Sequence, residues 1–224
     1  MIVIAGGMFA ELFVRGRLFV HGDAAATGHN ILTHELLFRS GFAVEVFYCA
    51  CNLPLILIFY DLFRVVNRRA SVLLVYFSLL GTGIESVSLL GHFAPLVLLG
   101  KGHTLNAFTT EQLQALAYVS LRMFEHGFAL ALVFFGIYCL LIGYLILRST
   151  FFPRLIGAML AIEGVCYLMN SFANFLAPEF GARFFPFLMV SGLAEVSFCV
   201  CLILMGVNAE RWYEQARSAG MANR

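Results

Sequence analysis

The chain has 224 residues, of which 61% are hydrophobic and only 12% charged, with a formal net charge of +1 and a mean hydropathy of +0.89. A soluble domain carries roughly 25% charged residues, so the polar surface that a soluble fold needs is missing here. The near-neutral balance argues against a nucleic-acid partner, and the remaining class is a polytopic membrane protein whose first partner is membrane lipid.

The first apolar run covers residues 1–20. From Met1 to Val14 a helix rises about 21 Å, against a hydrocarbon core of about 30 Å. Arg15 and Arg17 must then lie near an interface. No charged region precedes the run and no small-residue cleavage site follows it, so it does not read as a signal peptide. Either this helix is short or the chain starts further upstream. Residues 21–39 are more polar. Ile31, Leu32, Glu35, Leu36 and Arg39 mix apolar and charged positions at helical spacing, which predicts a short interfacial helix between spans 1 and 2, capped near Thr27 or Asn30.

The second span covers 41–63, with Glu45 and Asn52 seven positions apart and a kink predicted at Pro54. Arg64, Arg68 and Arg69 close it. The third span, 71–99, carries Glu85 and His92, again seven apart. Seven positions are close to two helical turns, so the two side chains share a face. A polar loop follows, and Thr109 or Thr110 is the predicted cap of a pattern that runs to Arg148. That pattern exceeds the membrane thickness, so its first turns project from the lipid and the span is taken as 116–148. Arg122, Glu125 and His126 then lie near the interface. The fifth span, 155–176, holds Glu163, Asn170 and Asn174. The sixth, 184–207, has Pro186 in its first turn and Glu195 near its middle. The tail, 208–224, is polar, with Trp212 suited to an interface. The predicted fold is therefore all-α: one domain over 1–207, a transmembrane bundle of six helices with a short interfacial helix after the first.

Arg64, Arg68, Arg69, Arg148, Arg154, Arg211 and Arg217 fall on one side of such a bundle. The positive-inside rule makes that side cytoplasmic, with both termini inside. The six cysteines all lie within apolar runs, where they read as small packing residues rather than as a disulfide framework.

Each of the six apolar segments carries one glutamate: Glu11, Glu45, Glu85, Glu125, Glu163 and Glu195. Acids within a membrane are rare and face a bundle interior or a wet cavity. Glu11 and Arg15 are four apart and can pair on one helix. Glu163, Tyr167, Asn170 and Asn174 form one polar stripe, and Glu45, Cys49 and Asn52 another. In the inferred orientation these polar groups share the outer half of the bundle. They predict a polar pocket lined by Glu85, His92, Glu195, Glu45, Glu163, Asn170, Asn174, Arg39 and Arg122, binding or transporting a small polar or cationic group. Two other readings use the same residues. In one, His92, His126, Glu85 and Glu125 hold a metal in a membrane enzyme, although no His-x-x-x-His or Glu-x-x-His spacing is present. In the other, the buried polar groups only fix helix packing. There is no nucleotide-binding fingerprint, and the serines read as helix-contact residues.

Several short blocks, in order along the chain, carry a resemblance. They are Phe9-Ala-Glu-Leu-Phe-Val-Arg15, Leu37-Phe-Arg-Ser-Gly-Phe42, Val-Asn-Arg around Asn67, Ile84-Glu-Ser86, Phe134-Phe-Gly-Ile-Tyr-Cys139, Phe152-Pro-Arg-Leu-Ile-Gly157, Tyr167-Leu-Met-Asn-Ser-Phe172 and Gly192-Leu-Ala-Glu195. Together they resemble a bacterial membrane family catalogued as domain of unknown function 4386. The resemblance covers almost the whole chain and implies a six-helix inner-membrane protein, with no activity, substrate or cofactor attached. Members of that family usually begin further upstream, and many hold an acid where this chain has Asn170.

Overall fold

A computed structural model describes residues 2–100, 107–177 and 192–220, and all regular structure among them is helical. Helix α1 (Ile2–Met8) runs on into a π-helical stretch (Phe9–Arg15) and a last α-turn (Gly16–Leu18). Helix α2 (Ala24–Thr33) is capped by Asp23, whose side chain accepts from the Ala26 N–H at 2.8 Å. The cap therefore falls one turn ahead of the predicted Thr27. Thr27 is buried instead, where its hydroxyl donates to the Asp23 carbonyl and accepts from the Val20 N–H. Those bonds turn the chain into α2 from the end of the first helix.

The long helices follow: α3 (Glu35–Phe63), α4 (Arg68–Leu99), α5 (Thr110–Arg148) and α6 (Arg154–Leu176). Their starts follow ordinary capping chemistry. Asn67 Oδ1 accepts from the N–H groups of Arg69 and Ala70, both at 3.1 Å. Thr109 and Gln112 cap reciprocally, side chain to backbone in both directions, a capping box that places the start of α5 where the sequence predicts it. Pro153 precedes α6 with its φ fixed near the helical value. Helix α3 begins six residues ahead of the predicted second span. Its added residues mix apolar and charged side chains, and Glu35 and Arg39 pair across them at 2.7 Å. Pro54 and Pro95 lie inside α3 and α4.

Helix α7 (Gly192–Leu204) and helix α8 (Ala209–Ser218) are bent by 101°. Gly206, at φ +62°, supplies the left-handed residue between them. The first turns of the predicted sixth span, with Pro186, lie outside the described residues. Four helices, α3 to α6, are long and apolar enough to cross a membrane, or five if α7 and α8 count as one bent span. The chain is thus a multi-pass helical membrane protein.

Contacts divide the chain into two compact units. The amino-terminal unit comprises Ile2–Asn52 and Gly83–Phe128, and the carboxy-terminal unit comprises Leu53–Thr82 and Ala129–Arg224, so the division falls inside α3, α4 and α5. In the carboxy-terminal unit, Phe59, Phe63, Leu74, Ile142, Ile146, Phe152 and Phe198 share one buried cluster. In lipid such residues gain little from leaving water, so close packing decides which helices associate. Glycines provide that packing between α5 and α6. A Cβ on Gly136 would lie 2.9 Å from the Gly164 carbonyl oxygen, and one on Gly164 would lie 2.5 Å from the Gly136 oxygen. Gly143 and Gly157 repeat the arrangement one heptad away. The two backbones touch at both levels.

Helix α8 closes one end of this unit. The Trp212 indole N–H donates to the Leu62 carbonyl at 2.9 Å. The Gln215 side chain accepts from both the N–H and the hydroxyl of Thr150 at 3.1 Å. The last carbonyls of a helix have no partner within it, and Leu62 near the end of α3 is supplied this way.

The glycine contact sets a prediction. Gly164→Ala should lower Tm by about 3–10 °C in detergent, because overpacking against a backbone oxygen costs about 1–3 kcal/mol. Gly83→Ala, at a helical position with nothing within 4 Å of the added carbon, should leave Tm unchanged or slightly higher. Thermal unfolding of the two variants side by side measures the difference.

Candidate functional site

The most connected polar group in the amino-terminal unit is Arg15. It stands at the end of the π-helical stretch, where the Gly16 N–H reaches back five residues to the Glu11 carbonyl. This wider turn brings side chains four apart nearly into line, and π-turns inside α-helices recur at functional sites. Arg15 Nε donates to Glu11 Oε2 at 2.8 Å. Its Nη1 donates to Glu45 Oε1 on α3. The guanidinium also lies over the Phe124 ring of α5, 4.8 Å from its centroid, which adds a cation–π contact in a dry setting.

Glu45 is shared. While Oε1 takes Arg15, Oε2 lies 2.6 Å from His92 Nδ1 on α4, and the side chains of Glu45 and His92 are 1% and 0% exposed. Phe38, Phe42 and Phe124 surround the imidazole with ring centroids 4.6, 6.2 and 5.4 Å away. Among the described residues neither ring nitrogen of His92 nor Glu45 Oε2 makes a directed hydrogen bond, so the 2.6 Å contact is an ion-pair approach, and Nε2 has no polar partner at all. One turn along α3 from Glu45, the Tyr48 hydroxyl donates to Glu85 Oε1, and both residues are buried. Glu45 with His92 and Tyr48 with Glu85 are two rungs between antiparallel helices. The Glu85/His92 spacing noted in the sequence builds one side of this ladder. A cavity of about 10 Å³ is lined by Arg15, Phe38, Phe124 and Glu125 among others. That is room for about one water molecule.

The other candidates fall elsewhere. Arg122 donates to Glu125 at 2.5 Å, and His21 stands 3.7 Å from the same carboxylate. Arg39 is half-exposed in its pair with Glu35. His126 is exposed. Among the described residues no group of three or more His, Cys, Asp or Glu is arranged to hold a metal ion, so His92, His126, Glu85 and Glu125 are not gathered into one centre.

In the carboxy-terminal unit, Glu163 on α6 is 1% exposed and Glu195 is on α7. The Tyr167 hydroxyl, one turn after Glu163, donates to Glu195 Oε1 at 3.3 Å. Asn170 is buried and Asn174 half-buried on the same helix. All six cysteines are free thiols.

Two partners were outside the candidate list, Arg15 and Tyr48. The signal for Arg15 was the Glu11/Arg15 spacing. An arginine so near the end of an apolar run reads as an interface anchor until the partner on α3 is seen. Tyr48 had no signal, because a lone tyrosine in a span is ordinary.

Long apolar helices that carry paired acids in their interiors define an integral, multi-pass membrane protein. The chain belongs to the family described as "Domain of unknown function (DUF4386)", which matches residues 1–206. No curated protein and no solved structure matches it.

The network makes a direct prediction. Arg15→Met removes one partner of Glu45 and leaves a buried carboxylate short of its cation, a change that costs about 3–5 kcal/mol. Adding Glu45→Gln should recover more than half of the loss in Tm. A double-mutant cycle on thermal unfolding in detergent measures the coupling.

Proposed function

We propose that this is a six-span protein of a bacterial inner membrane, both termini cytoplasmic, that takes up a proton at the Arg15–Glu45–His92 network. The basic residues at the ends of α3, α5 and α8 support the orientation. The observation that carries the functional reading is His92 Nε2, a ring nitrogen buried completely and without a partner among the described residues. A buried nitrogen left unpaired is costly, and a transient partner removes that cost. Its other nitrogen already faces Glu45, so a positive charge taken up at the ring is met by a carboxylate that Arg15 holds in place. Chains of buried His and Glu are the usual material of proton paths through membranes. The cavity beside Arg15 admits about one water, which favours a proton over a solute of several atoms. Tyr48 and Glu85 extend the line of exchangeable groups along α3 and α4.

The test is proton flux in liposomes. Purified protein is reconstituted with an entrapped pH-sensitive dye, and a potassium gradient with valinomycin supplies the driving voltage. The wild type should collapse the gradient at least tenfold faster than His92→Gln, while Arg39→Ala behaves as wild type. Flux equal to that of empty liposomes, or equal in wild type and His92→Gln, overturns the reading.

A further inference from the structure

We propose that the groove between α6 and α7, in the carboxy-terminal unit, holds an acyl chain of an anionic phospholipid whose phosphate lies against Arg154 and Arg211. The groove has a volume of about 410 Å³, the size of pockets that take a small organic ligand. Pro153 and Leu155 line it at the start of α6, and Val196, Val200 and Leu204 line it on α7. The three α7 positions are four apart, so they form one stripe along the helix, about 12 Å from first to last. Ser197 and Cys201 line the groove as well, and Cys201 is 7% exposed where Leu204 is 77% exposed. Two small residues one turn apart thus lie deep between the helices, and the larger side chains flank the space they leave. In a membrane the atoms along such a gap lose their contacts unless a molecule fills it, and the apolar lining suits a hydrocarbon chain.

Charge decides which lipid. Arg154 stands between Pro153 and Leu155, both in the groove wall, and it is exposed. Arg211 of α8 reaches the same end. Its Nη1 donates to the Thr150 carbonyl at 3.3 Å. The stretch of chain from Thr150 to Pro153 spans at most about 11 Å. Among the described residues the arginines in ion pairs are Arg15, Arg39, Arg64 and Arg122, so neither Arg154 nor Arg211 is matched by a carboxylate. Glu210 and Glu214 share α8 with Arg211 and take part in none of those pairs. Pro153 gives α6 no side-chain cap, so the positive end of that helix adds to the same potential. Guanidinium groups bind phosphate oxygens in pairs, and basic pockets between membrane helices suit anionic head groups. A second copy of the chain fits the groove less well. A two-fold axis along the membrane normal would set the arginines of both copies at one level, like charge toward like. The argument does not depend on the His92 network.

The experiment is thermal unfolding of the full chain in detergent at fixed pH and ionic strength, with phosphatidylglycerol, phosphatidylcholine of the same acyl chains, or glycerol phosphate added. Phosphatidylglycerol at about a hundred times its dissociation constant should raise Tm by about 5 °C or more over phosphatidylcholine. Each variant is read against its own lipid-free Tm. Arg154→Gln combined with Arg211→Gln should lose most of that difference. Ser197→Leu, which fills the groove and removes no charge, should lose it as well, while Arg68→Gln, at the start of α4, should keep it. Equal Tm in the two lipids, an equal shift from glycerol phosphate alone, or an equal loss in Arg68→Gln overturns the proposal. So does a shift that survives in both the double arginine variant and Ser197→Leu. A lipid-free dimer that Ser197→Leu dissociates, seen by light scattering, would give the groove to a second copy and also overturn it. His92→Gln should keep the lipid shift whatever its proton flux, so failure of this site and failure of the His92 reading are told apart.

Discussion

Glu45 can sit inside a membrane helix only because each of its oxygens meets a partner from a different segment of chain. Arg15 comes from the π-helical stretch and His92 from α4, while Phe124 of α5 covers the guanidinium and packs near the imidazole. The pairing therefore ties four segments of the amino-terminal unit to one carboxylate. Antiparallel packing also sets Glu85 ahead of His92 on the side of Tyr48, whose long side chain reaches it. The carboxy-terminal unit handles its acids differently. Near Glu163 and Glu195 the polar side chain is a tyrosine, whose hydroxyl donates to Glu195. The same residue type thus stands in one unit beside a guanidinium and an imidazole and in the other beside a phenol.

Helix association rests on a second constraint. Lipid tails compete well with leucine and phenylalanine, so apolar residues alone do not choose partners. Gly136, Gly143, Gly157 and Gly164 choose them for α5 and α6. Removing the side chains at two levels lets the backbones meet, and the short connection through Ser149 and Pro153 leaves the two helices as consecutive antiparallel neighbours. Helix α8 then ties the Arg148–Thr150 connection to the end of α3 through Gln215 and Trp212. Aromatic bulk such as Phe63, Phe152 and Phe198 fills the space that this arrangement leaves.

Much of this was legible in the residues. Apolar runs of more than twenty residues announce α3 to α6, and Thr109 with Gln112, or Pro153, mark where helices start. Glu85 and His92 were legible as one helix face, because a seven-residue interval is a property of the helix itself. Their partners were not legible. Nothing in a one-dimensional pattern says that Arg15 reaches Glu45, since that contact depends on how α1 packs on α3. The cap of α2 was misplaced because Asp23, Thr27 and Asn30 are all competent caps, and the bond from Val20 to Thr27 decides among them. The π-helical stretch left no trace either, because Phe-Ala-Glu-Leu-Phe-Val-Arg is good α-helical sequence.

That π-helical stretch makes the amino-terminal network a matter of chain length as well as of residue type. A π-turn holds one residue more than the α-turn it replaces. Shortening Phe9–Arg15 by a single residue would let the stretch relax to ordinary α-helix with every remaining side chain intact. Because the π-turn holds that one extra residue, the turns on either side would keep their register. A residue lost between Glu11 and Arg15 would leave the two side chains three apart, with one residue's rotation of about 100° gone from between them. The buried arginine is thus positioned by a count, and a change that alters no chemical group can still disconnect it.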